Sequence, residues 1–154
     1  IDVNESYSEQ KVSYAYRQRW YNIFEKKSLV YTVKEIHIDS NRVIGIEIKS
    51  DNKRLFIFGV YLPADGNIDS YAYEFNIVEG LYNYYSKYGC VLVAGDLNSS
   101  CISPLYTNVN KHELFAGFVN RCNIGVPTVH FDTSVENFTF IPKRTVLDYI
   151  LFDK

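Results

Sequence analysis

The sequence predicts an α/β layered sandwich, and three observations carry that prediction. Strand-like segments pair early in the chain, a long amphipathic segment separates them from a short apolar run, and further strand-like segments close the sequence. Sheet first, helix between strands, then more sheet is the order of helices layered on a sheet. At 154 residues the chain fits one domain with a core of its own. No repeat, low-complexity tract or Gly/Ser/Pro-rich linker divides it, so residues 1–154 are read as a single domain, of which 1–22 fit the pattern worst.

Residues 28–38 read as a strand, with Val30, Thr32 and Ile36 of the types that favour one. Over residues 42–49, Val43, Gly45 and Glu47 alternate with Ile44, Ile46 and Ile48, the period of two expected of a strand. Asp51-Asn52 supplies turn chemistry and residues 55–62 form the next strand, so an antiparallel hairpin is expected. Ala64-Asp65-Gly66-Asn67 is a loop. Asp69 or Ser70 then caps a helix running to about residue 87, with Phe75, Val78, Leu81, Tyr82 and Tyr85 on one face and Gly89 ending it. Val91-Leu92-Val93-Ala94 is a continuous apolar run, the mark of a strand buried on both faces. A second helix spans 111–120, with Leu114, Phe115, Phe118 and Val119 facing inward, and residues 138–141 and 146–152 are the last strands.

Composition narrows the class without choosing a function. Hydrophobic residues at 47% and charged residues at 22% suit a soluble globular domain. Fourteen Tyr and ten Phe against one Trp and no Met suggest ring-rich surfaces, with Tyr at half-buried positions where its hydroxyl stays wet. The net charge of -2 gives no overall attraction for nucleic acid, so any such binding must rest on locally placed cations or a bound metal. Cys90, Cys101 and Cys122 are odd in number and lack CxxC spacing, which argues against zinc or a disulfide framework and for reduced thiols in an intracellular protein. No apolar run reaches the length of a membrane span, and the polar first ten residues do not read as a signal peptide.

The chemistry gathers at strand ends. Gly95-Asp96-Leu97-Asn98 follows the apolar run directly, so a carboxylate and a carboxamide two residues apart project to the same side. The acid can take a proton from water while the amide orients that water or contacts a phosphate oxygen. Asp and Asn are also ordinary turn residues after a strand, so this tetrapeptide alone decides nothing. Val60-Tyr61-Leu62-Pro63 ends another strand and would set Tyr61 at the same sheet edge. Thr145-Val146-Leu147-Asp148-Tyr149-Ile150-Leu151 places an acid inside an apolar strand, where it is costly unless paired or hydrogen-bonded. A satisfied structural carboxylate is an open reading for Asp148.

In this order the three motifs resemble the endonuclease/exonuclease/phosphatase superfamily, which includes deoxyribonuclease I, apurinic endonucleases and the endonucleases of non-LTR (LINE-type) retrotransposons. The resemblance covers residues 29–153, leaves 1–28 poorly matched, and rests on the joint occurrence of the motifs. It implies a four-layer α/β/β/α sandwich of the deoxyribonuclease I-like type, here truncated at both ends. It also implies phosphodiester hydrolysis with magnesium, or manganese in its place. Tyr61 matches the tyrosine that contacts the scissile phosphate. Asp96 matches the acid that activates the attacking water, with Asn98 beside it and both near the metal. Asp148 matches the acid that orients a catalytic histidine. Thr139, in Phe138-Thr139-Phe140, matches a threonine near DNA phosphate, and Thr145 takes the place of a serine. Arg144 and Lys143 would lie on a DNA-facing loop, although a solvated basic pair is the plainer account of them. The retrotransposon branch is suggested by Asn41-Arg42-Val43-Ile44-Gly45-Ile46 followed by Leu55-Phe56-Ile57-Phe58-Gly59-Val60-Tyr61, and by the lack of a Trp between Lys143 and Leu147.

Two motifs of the superfamily have no match. Its strand ending in Gln-Glu, whose Glu is the principal magnesium ligand, is not found in residues 1–27, where Glu5 and Glu9 lie in a polar stretch. Its Ser-Asp-His does not follow Asp148, and His37, His112 and His130 are not placed to replace that histidine. Weak metal binding and no measurable nicking by the chain alone are therefore expected. The implied function is nicking of DNA by a monomer, in the nucleus if it is a retrotransposon product, with a reverse transcriptase domain in a longer parent chain. A phosphatase or lipid phosphodiesterase of the same fold, and an inactive remnant, stay open.

Overall fold

Three strands form an antiparallel meander: β1 (Thr32–Ile36), β2 (Val43–Ser50) and β3 (Lys53–Tyr61). Helix α1 (Ile68–Tyr85) carries the chain over to β4 (Cys90–Asp96), which lies parallel to β3. Helix α2 (Val109–Arg121) and the two-residue β5 (Ile124–Gly125) follow, and β6 (Asp148–Asp153) inserts antiparallel between β4 and β5. The result is one six-stranded sheet of order β1-β2-β3-β4-β6-β5. The computed structural model describes residues 32–102, 108–126 and 146–153.

The expected hairpin is present. Ser50 pairs with Lys53 across Asp51-Asn52, and Asp51 takes a φ of 45°, a left-handed conformation that Asp tolerates in a tight turn. Alternation along the strands then sorts the side chains. Phe56, Phe58, Val60, Val91, Val93, Tyr149 and Leu151 are buried on one face. Tyr71, Phe75, Val78 and Tyr82 of α1 and Phe115 and Phe118 of α2 complete the same core. Phe75 meets Phe118 edge-on at 5.6 Å, and Phe115 meets Tyr149 at 4.9 Å, the geometry ring quadrupoles favour. Each buried large side chain is worth roughly 1.5–3 kcal/mol, so this layer holds the fold.

On the other face, Ile44, Ile46, Ile57 and Leu92 are half-buried while Ile150 and Phe152 are exposed. Both described helices lie on the first face, so the described residues supply one sheet and one helical layer of the expected sandwich.

Several boundaries differ from the sequence reading. Asn67, not Asp69 or Ser70, caps α1: its side chain accepts from the backbone N–H groups of Asp69 (3.0 Å) and Ser70 (3.1 Å). Those two residues thus fall in the first turn, where the acid of Asp69 suits the helix dipole. The helix ends with Ser86 as C-cap, before Gly89. Gly89 serves a close approach instead, since a Cβ there would lie 2.3 Å from the Arg54 carbonyl oxygen. Helix α2 starts two residues earlier than expected, capped by Asn108. Asp148 opens β6 and is exposed, so the desolvation cost expected of a mid-strand acid does not arise. The strand expected at 138–141 lies outside the described residues.

Candidate active site

The three central strands bring the three motifs into one row. Tyr61 is the register partner of Asp96, and Asp96 is the register partner of Asp148. Register partners in a sheet project to the same face. Since Val60, Gly95 and Tyr149 belong to the helix-covered side by alternation, Tyr61, Asp96 and Asp148 share the opposite one. They stand where β3 and β4 end and β6 begins, at the loop end of the sheet. Tyr61 is 55% exposed there.

Backbone conformation at the exit of β4 sets this geometry. Gly95 has a φ of 141°, and a Cβ at that position would sit 2.0 Å from the Val60 carbonyl oxygen. Only glycine lets β4 pass so close to β3. Beyond it, Leu62 N–H donates to the Asp96 carbonyl at 2.9 Å and Leu97 N–H to the Leu147 carbonyl at 2.8 Å. Asn98 adopts a φ of 45°, and its backbone N–H donates to Asp96 Oδ1 at 2.8 Å. Its Nδ2 donates to the Leu62 carbonyl at 2.8 Å. Asn98 therefore ties the exits of β3 and β4 together, with one of its two amide hydrogens given to the loop.

Burial pushes the Asp96 carboxyl above the usual carboxylate range, the Asn98 N–H opposes that, and the neighbouring charge of Asp148 adds to the rise. A carboxylate with raised proton affinity is a better base than a free one.

Arg42 belongs to the same edge and was missed as a site residue. Its guanidinium lies 5.7 Å from the centroid of the Tyr61 ring, and its carbonyl accepts from Tyr61 N–H at 2.9 Å. Counting back from the Asp51-Asn52 turn places Arg42 opposite Tyr61, so the hairpin held the signal. Arginine offers a planar donor fork suited to phosphate oxygens. Thr139, Arg144 and Thr145 lie outside the described residues.

For a metal, Asp96 and Asp148 are two carboxylates side by side, and among the described residues no group of three or more His, Cys, Asp or Glu gathers. Magnesium is commonly held by one or two carboxylates together with waters and substrate phosphates. The pair fits such a hydrated ion and does not fit a closed protein cage. Asn98 could add its side-chain oxygen, the atom of a carboxamide that ligates magnesium.

By sequence, no family model and no curated protein matches the chain. By structure it is similar to the endonuclease domain of TRAS1, a telomere-specific non-LTR retrotransposon, with TM-score 0.59 and 14% identity over 85% of this chain and 58% of that one. It is also similar to the human Nocturnin catalytic domain, solved with bound sulfate, with TM-score 0.53 and 17% identity over 79% of this chain and 48% of that one. The chain shares the fold of these two domains. The resemblance carried by three short motifs thus extends to the architecture, including its likeness to a retrotransposon endonuclease domain. A family protein from Leptotrichia buccalis C-1013-b is more distant, with TM-score 0.45 and 16% identity over 82% of this chain and 51% of that one, and adds no weight. The chain spans 58% and 48% of the lengths of the first two structures.

Proposed function

We propose that this chain belongs to a magnesium-dependent phosphodiesterase that nicks DNA. The observation that carries the reading is the row Tyr61–Asp96–Asp148, set on one face at the loop end of three adjacent strands. Asp96 takes the proton of a water as that water's oxygen bonds to phosphorus. The bond from phosphorus to the leaving sugar oxygen breaks, and that oxygen takes a proton from solvent. Tyr61 donates its hydroxyl to a non-bridging phosphate oxygen, and Arg42 meets the neighbouring phosphate. Asp148, the register partner of Asp96, is the second acid of the row. Magnesium, when bound at the two acids, supplies charge stabilisation at the phosphoryl oxygens. DNA is favoured over small phosphates because, among the described residues, Arg42 and the exposed Tyr61 form an open edge. A structural neighbour that is a retrotransposon endonuclease supports the same choice. On this reading the protein works in the nucleus beside a reverse transcriptase domain.

The test is nicking of supercoiled plasmid by the full-length protein that carries this chain, in magnesium buffer with and without chelator. Asp96→Ala should lower the rate about 10²–10⁴-fold, the usual contribution of a positioned base. Inositol phosphates and phospholipids serve as competing substrates. Nicking that survives Asp96→Ala, or faster turnover of a small phosphate, would refute the reading.

A further inference from the structure

Lys111 is 2% exposed, although it stands in the first turn of α2, where the helix dipole disfavours a cation. A lysine is rarely fully buried unless paired. Its ammonium donates to the Pro63 carbonyl at 2.8 Å and to the Asp65 carbonyl at 2.7 Å. It also lies 4.6 Å from the centroid of the buried Tyr71 ring, whose hydroxyl donates to the Leu97 carbonyl at 3.0 Å. The turn that Lys111 grips follows Tyr61 directly and is the turn Asn98 grips through Leu62. One cation thus touches the exit of β3 and, through Tyr71, the exit of β4.

We propose that Lys111 is a positioning residue for phosphodiester cleavage, holding the turn at Pro63–Asp65 so that Tyr61 and Asn98 keep their places beside Asp96. The proposal rests on the nuclease reading for its catalytic consequence, and on the hydrogen bonds alone for its structural one. The Asp65 carbonyl stands in an exposed stretch where water could serve it, while Pro63 is buried. Capture of both carbonyls by a buried ammonium fixes a loop whose position has to be accurate, because small misplacement of a reacting group is costly in rate.

The experiment compares Lys111→Met, which keeps length and removes charge and donors, with Lys111→Arg, which keeps both, in the full-length protein. Backbone hydrogen exchange is read by mass spectrometry. In Lys111→Met, the hydrogen-bonded amides of Tyr61, Leu62, Leu97 and Asn98, within 61–65 and 97–98, should exchange at least about tenfold faster, the effect of one lost hydrogen bond of ordinary strength. Residues 54–58 and 91–93 should stay as in the parent. In plasmid nicking, kcat should fall with KM unchanged, and Lys111→Arg should recover part of both effects. Uniform acceleration of all four segments, unchanged exchange at 61–65, or local loosening with kcat intact would each overturn the proposal. If Lys111→Met does not fold, Lys111→Arg supplies the same ratio of local to distant exchange. A parent protein without nuclease activity would defeat the functional reading and leave the exchange ratio to decide the tether.

Discussion

Where β2 turns into β3, the chain reverses through a two-residue turn and its charges are matched locally. Arg54 meets Glu47 at 2.6 Å, and Asp153 accepts from the Tyr82 hydroxyl and, at 2.8 Å, from Val91 N–H. At the opposite end, where β3 and β4 leave the sheet and β6 enters it, local preference is set aside repeatedly. Gly95 and Asn98 take positive φ, Asp96 carries a carboxyl disfavoured by burial and by Asp148, and Lys111 is buried at a helix start. The first end also has a left-handed residue in Asp51 and a tight passage at Gly89, but the charges of Glu47, Arg54 and Asp153 are each met by a partner. The second accepts strain and unfavourable charge to bring distant residues together, which is the usual mark of a functional site.

The sharpest way to break this comparison is Gly95→Ala. The added methyl would have to displace the Val60 carbonyl, 2.0 Å away, at a φ of 141°. A loss of about 3 kcal/mol or more is expected in urea denaturation. Gly66→Ala, in a loop where an added Cβ meets nothing within 4 Å, should change stability by less than about 0.5 kcal/mol. Equal effects would mean that β4 does not need its close passage.

Next in size is Asn98→Ala, which removes the tie to Leu62 and leaves alanine in a left-handed conformation. A cost of roughly 2–3 kcal/mol is expected, combining a lost buried hydrogen bond with backbone strain. Asn98→Gly relieves the strain and should cost about 1 kcal/mol. Tyr82→Phe is the counterpart at the far end. It removes the hydroxyl donor to Asp153 and should cost about 1–2 kcal/mol in the same assay while leaving plasmid nicking unchanged. Nicking that falls with Tyr82→Phe would show the two ends to be coupled.

How much of this was legible depended on sequence distance. The hairpin, the long helix and β4 announced themselves because period and turn chemistry act over a few residues. Tyr61 and Asp96 were legible as motifs at strand ends and Asp148 as an acid within a strand, but their shared row was not. The order β3-β4-β6 places β4 beside strands reached only after a helix on either side, and no local signal reports that register. Arg42 could have been found by counting back through the turn. Lys111 could not, since a lysine in a first helical turn reads as solvated, and only tertiary packing buries it. Among Asn67, Asp69 and Ser70, each an acceptable cap, the choice fell to whichever side chain reached the free N–H groups. The two residues of β5 were too few to show any period.

The smallest expected effect is the most diagnostic, because its sign differs between the two ends. Folding raises the Asp96 pKa above its ordinary value of 3.8, chiefly through burial. A carboxyl raised on folding weakens the fold when ionised. The penalty is absent below the unfolded value, appears as pH climbs through the folded one, and is complete above it. Asp96→Asn removes the penalty and keeps an oxygen to accept from Asn98 N–H. The variant should therefore melt slightly higher than the parent at pH 7, with the advantage shrinking as pH falls towards 4 and gone below that, even as its nicking is lost. Asp153→Asn at the far end should melt lower than the parent at pH 7, because its carboxylate accepts from two donors there and an amide oxygen serves them less well. Thermal melts of the three proteins across this pH range check both signs. If Asp96→Asn melts lower than the parent at pH 7, Asp96 is a structural acid like Asp153, and the contrast between the two ends of the sheet fails at its most important residue.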